Sequence, residues 1–225
     1  MNAHRTRIKI CGLTREEDLV AAVQAGADAI GFVLYPKSPR AVTAQRAAQL
    51  ARQLPPFVTP VLLFVNEPAQ SVHEACQLLP NALLQFHGDE TPEACAAFGR
   101  PFLRAARIPA GPAGSGFDLL KYAQDFSTAQ AILLDAHVEG YGGGGQSFDW
   151  AAFNWSHPLL NASFRLVLSG GLDAANVSEG ISRVRPWAVD VSSGVEHAKG
   201  IKDPEKIHQF VAAVKAADAL ISRSA

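Results

Sequence analysis

The chain is short of charge, of cysteine and of long apolar runs, and each shortage excludes something. Only 18% of its 225 residues are charged, 20 Lys and Arg against 21 Asp and Glu, below the roughly 25% usual for soluble domains. A formal net charge of -1 leaves no spare basic surface to neutralise a run of polymer phosphates, so a nucleic-acid partner is not expected. Three cysteines, Cys11, Cys76 and Cys95, are an odd number with no CxxC pair, which argues against a disulfide framework and against a zinc ribbon. Seven histidines show no HxH or HExxH spacing, and no metal site is expected. No segment approaches the roughly 18 apolar residues of a membrane span. The opening MNAHRTRIKI lacks the apolar stretch of a signal peptide, so a cytoplasmic protein with no membrane partner is expected.

What is present is a large apolar fraction, 48%, enough for a real core. Eight short runs rich in Val, Ile and Leu recur along the chain: 7–11, 29–34, 60–66, 82–88, 101–108, 131–136, 165–171 and 188–194. Without consistent polar alternation, such runs suit strands covered on both faces, as in a parallel sheet. Helix signals fill the gaps. Thr14 with Glu17 reads as a capping box opening a helix that Gly26 ends. Thr43 opens a second, running to Gln53, and Thr91 before Pro92 and Asp203 before Pro204 read as N-caps. Ile207, Phe210, Val211 and Val214 form one apolar stripe, and weaker helices fit 69–79, 116–123 and 174–183. Eight strand–helix units predict an α/β fold, a (β/α)8 TIM barrel in a single domain over 1–225, with a fraying tail at about 217–225. The competitor, an open doubly wound sheet, lacks support at the first turn: CGLTRE is not a glycine-rich dinucleotide fingerprint.

In a barrel the chemistry belongs at the C-terminal ends of the strands. Glycine and serine after strands seven and eight, Gly170 and Gly171 with Ser192, Ser193 and Gly194, would let main-chain N–H groups and helix N-termini meet a phosphate; each glycine taken alone also suits a tight turn. Cys11 and Asp135 are the candidates for proton transfer. A thiol starts near pKa 8.5 and a carboxylic acid near 4, so a thiolate base and a neutral acid need opposite pushes. Exposure near helix dipoles would favour the Cys11 thiolate, and burial near an anionic substrate would favour neutral Asp135. Arg40, in YPKSPR, has the planar fork for a substrate carboxylate. His87 is a polar pocket contact or an ordinary core histidine. EGYGGGGQSFDW at 139–150 is a mobile loop able to close over substrate, or a plain connector. Lys9, two residues before Cys11, shares its face of the strand and opens a Schiff-base aldolase alternative.

These segments resemble the phosphoribosylanthranilate isomerase family: KICGLT at 9–14, AGADAIGFV at 25–33, SPR at 38–40, QFHGDE at 85–90, LLDA at 133–136, GGGGQSFDW at 142–150, LSGGL at 168–172 and VDVSSGVE at 189–196. The resemblance implies an Amadori rearrangement in tryptophan biosynthesis, with a small phosphoribosyl substrate, no cofactor, and a monomer or homodimer. It makes Cys11 the general base and Asp135 the general acid. It places Arg40 and Asp190 near the anthranilate part, His87 and Gly144 along the substrate, and Gly170, Gly171, Ser192, Ser193 and Gly194 around the phosphate. Many members read GGTGKTFDW in the glycine loop, where this chain has Gly144 for the threonine and Gln146 for the lysine, so no lysine role passes to Gln146. The related histidine-pathway isomerases carry aspartate where this chain has Cys11, which disfavours dual specificity. A phosphosugar sensor without turnover is a further reading, against which both proton-transfer residues stand.

Overall fold

The computed structural model describes residues 5–109, 114, 116–136, 147–157, 160 and 164–224. Eight parallel strands close into a barrel in chain order: β1 Arg7–Cys11, β2 Ala29–Val33, β3 Thr59–Phe64, β4 Leu83–Phe86, β5 Phe102–Ile108, β6 Ala131–Ala136, β7 Leu166–Leu168 and β8 Ala188–Val191, with β8 paired back onto β1. The described helices outside it are α1 Glu16–Ala25, α2 Ala44–Ala51, α3 Ala69–Leu78, α4 Pro92–Ala96, α5 Leu119–Asp125, α6 Val177–Val184 and α7 Pro204–Ser224. All eight strand segments read from the sequence are strands. Several stop short of their glycine, histidine or serine ends, which become the loops of the mouth.

Because alternate residues of a strand face opposite ways, each strand feeds two compartments. Val61, Leu103, Ala105, Ala131, Leu133, Val167 and Ala188 form one buried cluster inside the barrel. Ile10, Ile30, Leu62, Leu84, Ile132, Leu134 and Val189 face out and join the helices in the main core. Toward the mouth the inward positions turn polar: Lys9, Gln85, His87, Asp135 and Asp190, all buried.

Two local expectations are corrected and one feature is added. Thr14 does not cap α1; its hydroxyl donates to the Gly200 carbonyl at 2.8 Å, and the helix starts at Glu16 with no side-chain cap bond from Arg15. Gly200 belongs to a feature absent from the sequence reading, an antiparallel hairpin of β9 Glu196–Ala198 and β10 Ile201–Lys202 between β8 and α7. The tail expected to fray from about 217 is helical through Ser224. Ala217 and Ile221 extend the buried stripe of Ile207, Phe210, Val211 and Val214, and the Asp218 carboxylate accepts from Thr6 N at 2.8 Å and Thr6 Oγ1 at 2.7 Å. The caps at Thr43, Thr91 and Asp203 are made as expected, and Gly26 ends α1 in the left-handed region.

Candidate active site

On β1, Lys9 and Cys11 point into the barrel from positions two apart. Asp190 is the Cα partner of Lys9 across the β1–β8 seam, and its Oδ1 accepts from Lys9 Nζ at 2.8 Å. Burial pulls the Lys9 ammonium down, but the facing Asp190 carboxylate and the Cys11 thiol outweigh it and hold Lys9 above its ordinary value. Burial pushes the Cys11 thiol up, Lys9 pulls it down and Asp190 pushes it up again, with a net rise. The expectation of an exposed thiol with a thiolate favoured by helix dipoles is therefore corrected. Cys11 is only 5% exposed, and the strongest charge favouring its ionised form is a lysine of its own strand. An ammonium held this firmly is not the neutral amine that a Schiff base requires, which counts against the aldolase alternative.

Asp135 faces inward from β6. Its Oδ2 lies 2.9 Å from His87 Nε2, and His87 Nδ1 lies 3.1 Å from Gln85 Nε2. An amide nitrogen only donates, so Nδ1 accepts, and the proton of the neutral ring sits on Nε2, directed at Asp135. Gly170 has φ +80, and a Cβ there would fall 2.9 Å from Asp135 Oδ1 and 2.6 Å from Ala136 N, so only glycine lets the loop after β7 press against the acid. His87 is steadied from behind. Arg104 donates to Phe86 O and Gly88 O, and Arg104 Nη1, Asn66 N and Gly88 N converge on the Glu90 carboxylate. Gln85 was missed in the sequence; its place two residues before His87, on the same strand face, was the available signal.

The loops after β7 and β8 meet: a Cβ on Gly194 would stand 1.9 Å from the Leu172 carbonyl oxygen, closer than any side chain tolerates. Ser192 uses its hydroxyl internally. Oγ donates to Cys11 O at 3.0 Å, while Lys202 Nζ donates to Ser192 O at 3.0 Å and Oγ at 3.3 Å, so this serine ties the β8 loop to the end of β1. The helix N-terminus expected after β8 is a single 3-10 turn, Ser193–Val195.

Arg40 makes the two-point contact its geometry suits, but with a protein carboxylate. Its Nε and Nη2 donate to Glu196 Oε1 and Oε2 at 2.7 and 2.8 Å, and Lys202 Nζ reaches the same Oε1 at 2.9 Å. Burial would raise the Glu196 carboxyl, but Arg40 and Lys202 outweigh it and hold it below the usual carboxylate range. Burial lowers Lys202, and Glu196 only partly offsets that. The expectation of a fork open to a substrate carboxylate is corrected: Glu196 and Lys202, on a hairpin the sequence did not announce, already engage or neighbour it. Gly144 and Gln146 lie outside the described residues. Among the described residues no group of three or more His, Cys, Asp or Glu side chains is placed to hold a metal ion, and no helix is long and apolar enough to cross a membrane.

Residues 8–213 match the family described as N-(5'phosphoribosyl)anthranilate (PRA) isomerase. The N-(5'-phosphoribosyl)anthranilate isomerase of Methylibium petroleiphilum is 61% identical over 220 residues, 98% of this chain and 99% of its own. This chain belongs to the PRA isomerase family. The phosphoribosyl anthranilate isomerase of Thermotoga maritima has the same barrel at a TM-score of 0.81 and 38% identity, covering 94% of this chain and 99% of that one. A PRA isomerase solved in complex with reduced 1-(o-carboxyphenylamino)-1-deoxyribulose 5-phosphate matches at a TM-score of 0.77 and 36% identity, covering 94% and 99%. Within this PRA isomerase fold the three thiols differ. Cys76 in α3 and Cys95 in α4 lie outside the barrel, buried, where burial pushes Cys95 up to about 11 and Cys76 also upward. Cys11 alone stands in the mouth.

Proposed function

We propose that Asp135 is the general acid and Cys11 the general base of this isomerase, which converts N-(5-phosphoribosyl)anthranilate to 1-(2-carboxyphenylamino)-1-deoxyribulose 5-phosphate in tryptophan biosynthesis. Asp135 protonates the furanose ring oxygen and the sugar opens to an iminium. Cys11, as thiolate, removes the proton from the second sugar carbon to give an enolamine, which tautomerises to the ketone. Both steps are proton transfers by positioned groups, and the scheme needs neither metal nor nucleotide. The observation that carries this reading is the inward placement of both side chains at the mouth ends of β1 and β6, each against dedicated buried partners.

The sugar phosphate sits where the β7 and β8 loops touch, held by main-chain N–H groups of Gly170, Gly171, Ser192, Ser193 and Gly194. The anthranilate end lies toward Arg40 and Asp190. Arg40 meets it with its remaining Nη1 edge, since Nε and Nη2 are engaged by Glu196. The protein acts as a monomer or a homodimer. Three free cysteines suit the reducing cytoplasm.

Cys11→Ser and Asp135→Asn are each expected to lower kcat by about 10²–10⁴-fold while circular dichroism and the melting transition stay near wild type. Near-native rates in both variants would reject the assignment. A parallel assay with the phosphoribosyl substrate of histidine biosynthesis is expected to show no turnover, in keeping with a thiol rather than a carboxyl at the end of β1.

A further inference from the structure

Lys9 has no part in the reaction as written, yet it is one of the most completely enclosed charges in the molecule. A lysine inside a barrel costs desolvation that a single ion pair seldom recovers, so its retention calls for a reason beyond stability. Three observations locate that reason. Lys9 and Cys11 share one face of β1, and Asp190 fixes the ammonium from β8 at 2.8 Å. Across from them on β2 stands Gly31, the Cα partner of Cys11. A Cβ built on Gly31 would lie 2.7 Å from Cys11 Sγ and 3.1 Å from Lys9 Nζ. Sulfur and ammonium thus converge on the small space that a missing side chain leaves open, within the roughly 4–6 Å over which an opposite charge favours ionisation.

We propose that Lys9, clamped by Asp190, is a positioning residue for the base: its ammonium, set beside the sulfur in the space left open at Gly31, favours ionisation of Cys11 against the burial that resists it, so that the sulfur can take the substrate proton. The proposal deepens the assignment of Cys11 as base and rests on it. Lys9 keeps its own proton throughout. The other charges that act on Cys11 are Asp190 from β8, Lys202 from β10 and Arg40 from the segment after β2. Asp190 opposes ionisation and the two cations favour it, with Lys9 acting more strongly than Lys202. The arrangement is therefore a balance: Asp190 is needed to aim the ammonium, and in the same place it resists the charge that the ammonium promotes.

The balance makes two substitutions move the same titration in opposite directions, which a merely structural lysine would not do. The readout is the pH dependence of iodoacetamide alkylation at Cys11, followed by mass spectrometry of its peptide, beside the pH profile of kcat/KM. In Lys9→Met the midpoint of Cys11 ionisation is expected to rise by about one pH unit or more, with kcat/KM near neutrality about tenfold lower and recovering as pH rises. Lys9→Arg restores the wild-type midpoint, and Asp190→Asn lowers it. If Lys9→Met fails to fold because Asp190 is left unpaired, the same comparison is made between Asp190→Asn and Lys9→Met/Asp190→Asn, where loss of Lys9 is again expected to raise the midpoint. A folded Lys9→Met, or the double variant, with an unmoved midpoint overturns the proposal. Alkylation does not depend on turnover, so the two failures separate. An unmoved midpoint alongside an inactive Cys11→Ser removes Lys9 and keeps the base, whereas an active Cys11→Ser removes the base and with it the role of Lys9, however the midpoint behaves.

Discussion

The two sides of the barrel mouth surround the two groups proposed to transfer protons, Cys11 and Asp135, with different kinds of partner. Around Cys11 the neighbours carry full charges: Lys9 against Asp190, and beyond them Arg40 and Lys202 against Glu196. Around Asp135 the immediate partners are an imidazole and an amide in a line, His87 and then Gln85. Each solution suits its task. A buried thiol proposed as a base has to be made to ionise, and the nearby cations Lys9 and Lys202 push that way. A buried carboxyl proposed to deliver a proton has to be aimed, and a directional hydrogen bond on one of its oxygens does so without adding a charge. The base side should therefore answer to changes of charge with changes of stability and pH dependence, and the acid side to changes of hydrogen bonding with changes of rate.

The largest effect that sharpens this contrast is expected from Glu196→Gln. The substitution leaves Arg40 and Lys202 buried without their common counter-charge, and breaking a buried pair from one side costs about 3–5 kcal/mol, to be read from urea unfolding at neutral pH. On the acid side His87→Phe keeps the ring and removes its nitrogens. Loss of a hydrogen bond between neutral groups, about 0.5–1.5 kcal/mol, corresponds to a kcat/KM lower by roughly 2–10-fold. Its acidic pH limb should stay where the wild type has it, because Cys11 is untouched; a moved limb would show that the two sides are coupled. A smaller effect concerns acid stability. The folded Glu196 carboxyl is held below its ordinary value, so its contribution is fully present above the unfolded value of about 4.3 and is lost as pH falls through the folded value. Wild type is therefore expected to lose more stability than Glu196→Gln on acidification below about pH 4.3, measured by urea midpoints across the series.

How much of this was legible before coordinates follows from how local each signal is. β1 to β8 were readable because strands buried on both faces must be apolar nearly throughout, and AILLDA at 131–136 could scarcely be anything else. Cys11, Asp135 and the glycine loops were readable because a strand end is a sequence position. The Arg40–Glu196 pair was not, since 156 residues separate its members and the hairpin that carries Glu196 is only five residues in strand, with no alternation long enough to detect. Thr14 misled for a related reason: its capping-box spacing with Glu17 is local, but its hydroxyl is claimed by Gly200, 186 residues away. The tail misled because its alanines are weak evidence of burial, and Asp218 holds Thr6 only once the two ends of the chain meet.

Gln85 offers the smallest effect and the finest test of the acid side. Its Nε2 serves His87, while its Oε1 is buried and, among the described residues, has no hydrogen-bond partner. Gln85→Leu therefore removes one useful hydrogen bond and one orphaned acceptor together, and these nearly offset, so stability should stay within about 1 kcal/mol of wild type. The rate should respond more than the stability. Without the amide, nothing obliges Nδ1 to accept, the ring is no longer fixed with its proton toward Asp135, and kcat/KM is expected to fall severalfold. The background reverses the balance. In His87→Phe the Gln85 amide has lost its one acceptor and both its ends are stranded in the barrel, which costs about 1–3 kcal/mol; adding Gln85→Leu there replaces a stranded polar group by an apolar one and should recover most of that loss without recovering activity. A double-mutant cycle in which Gln85→Leu destabilises both backgrounds equally would mean that Gln85 packs against the barrel wall and does not act through His87.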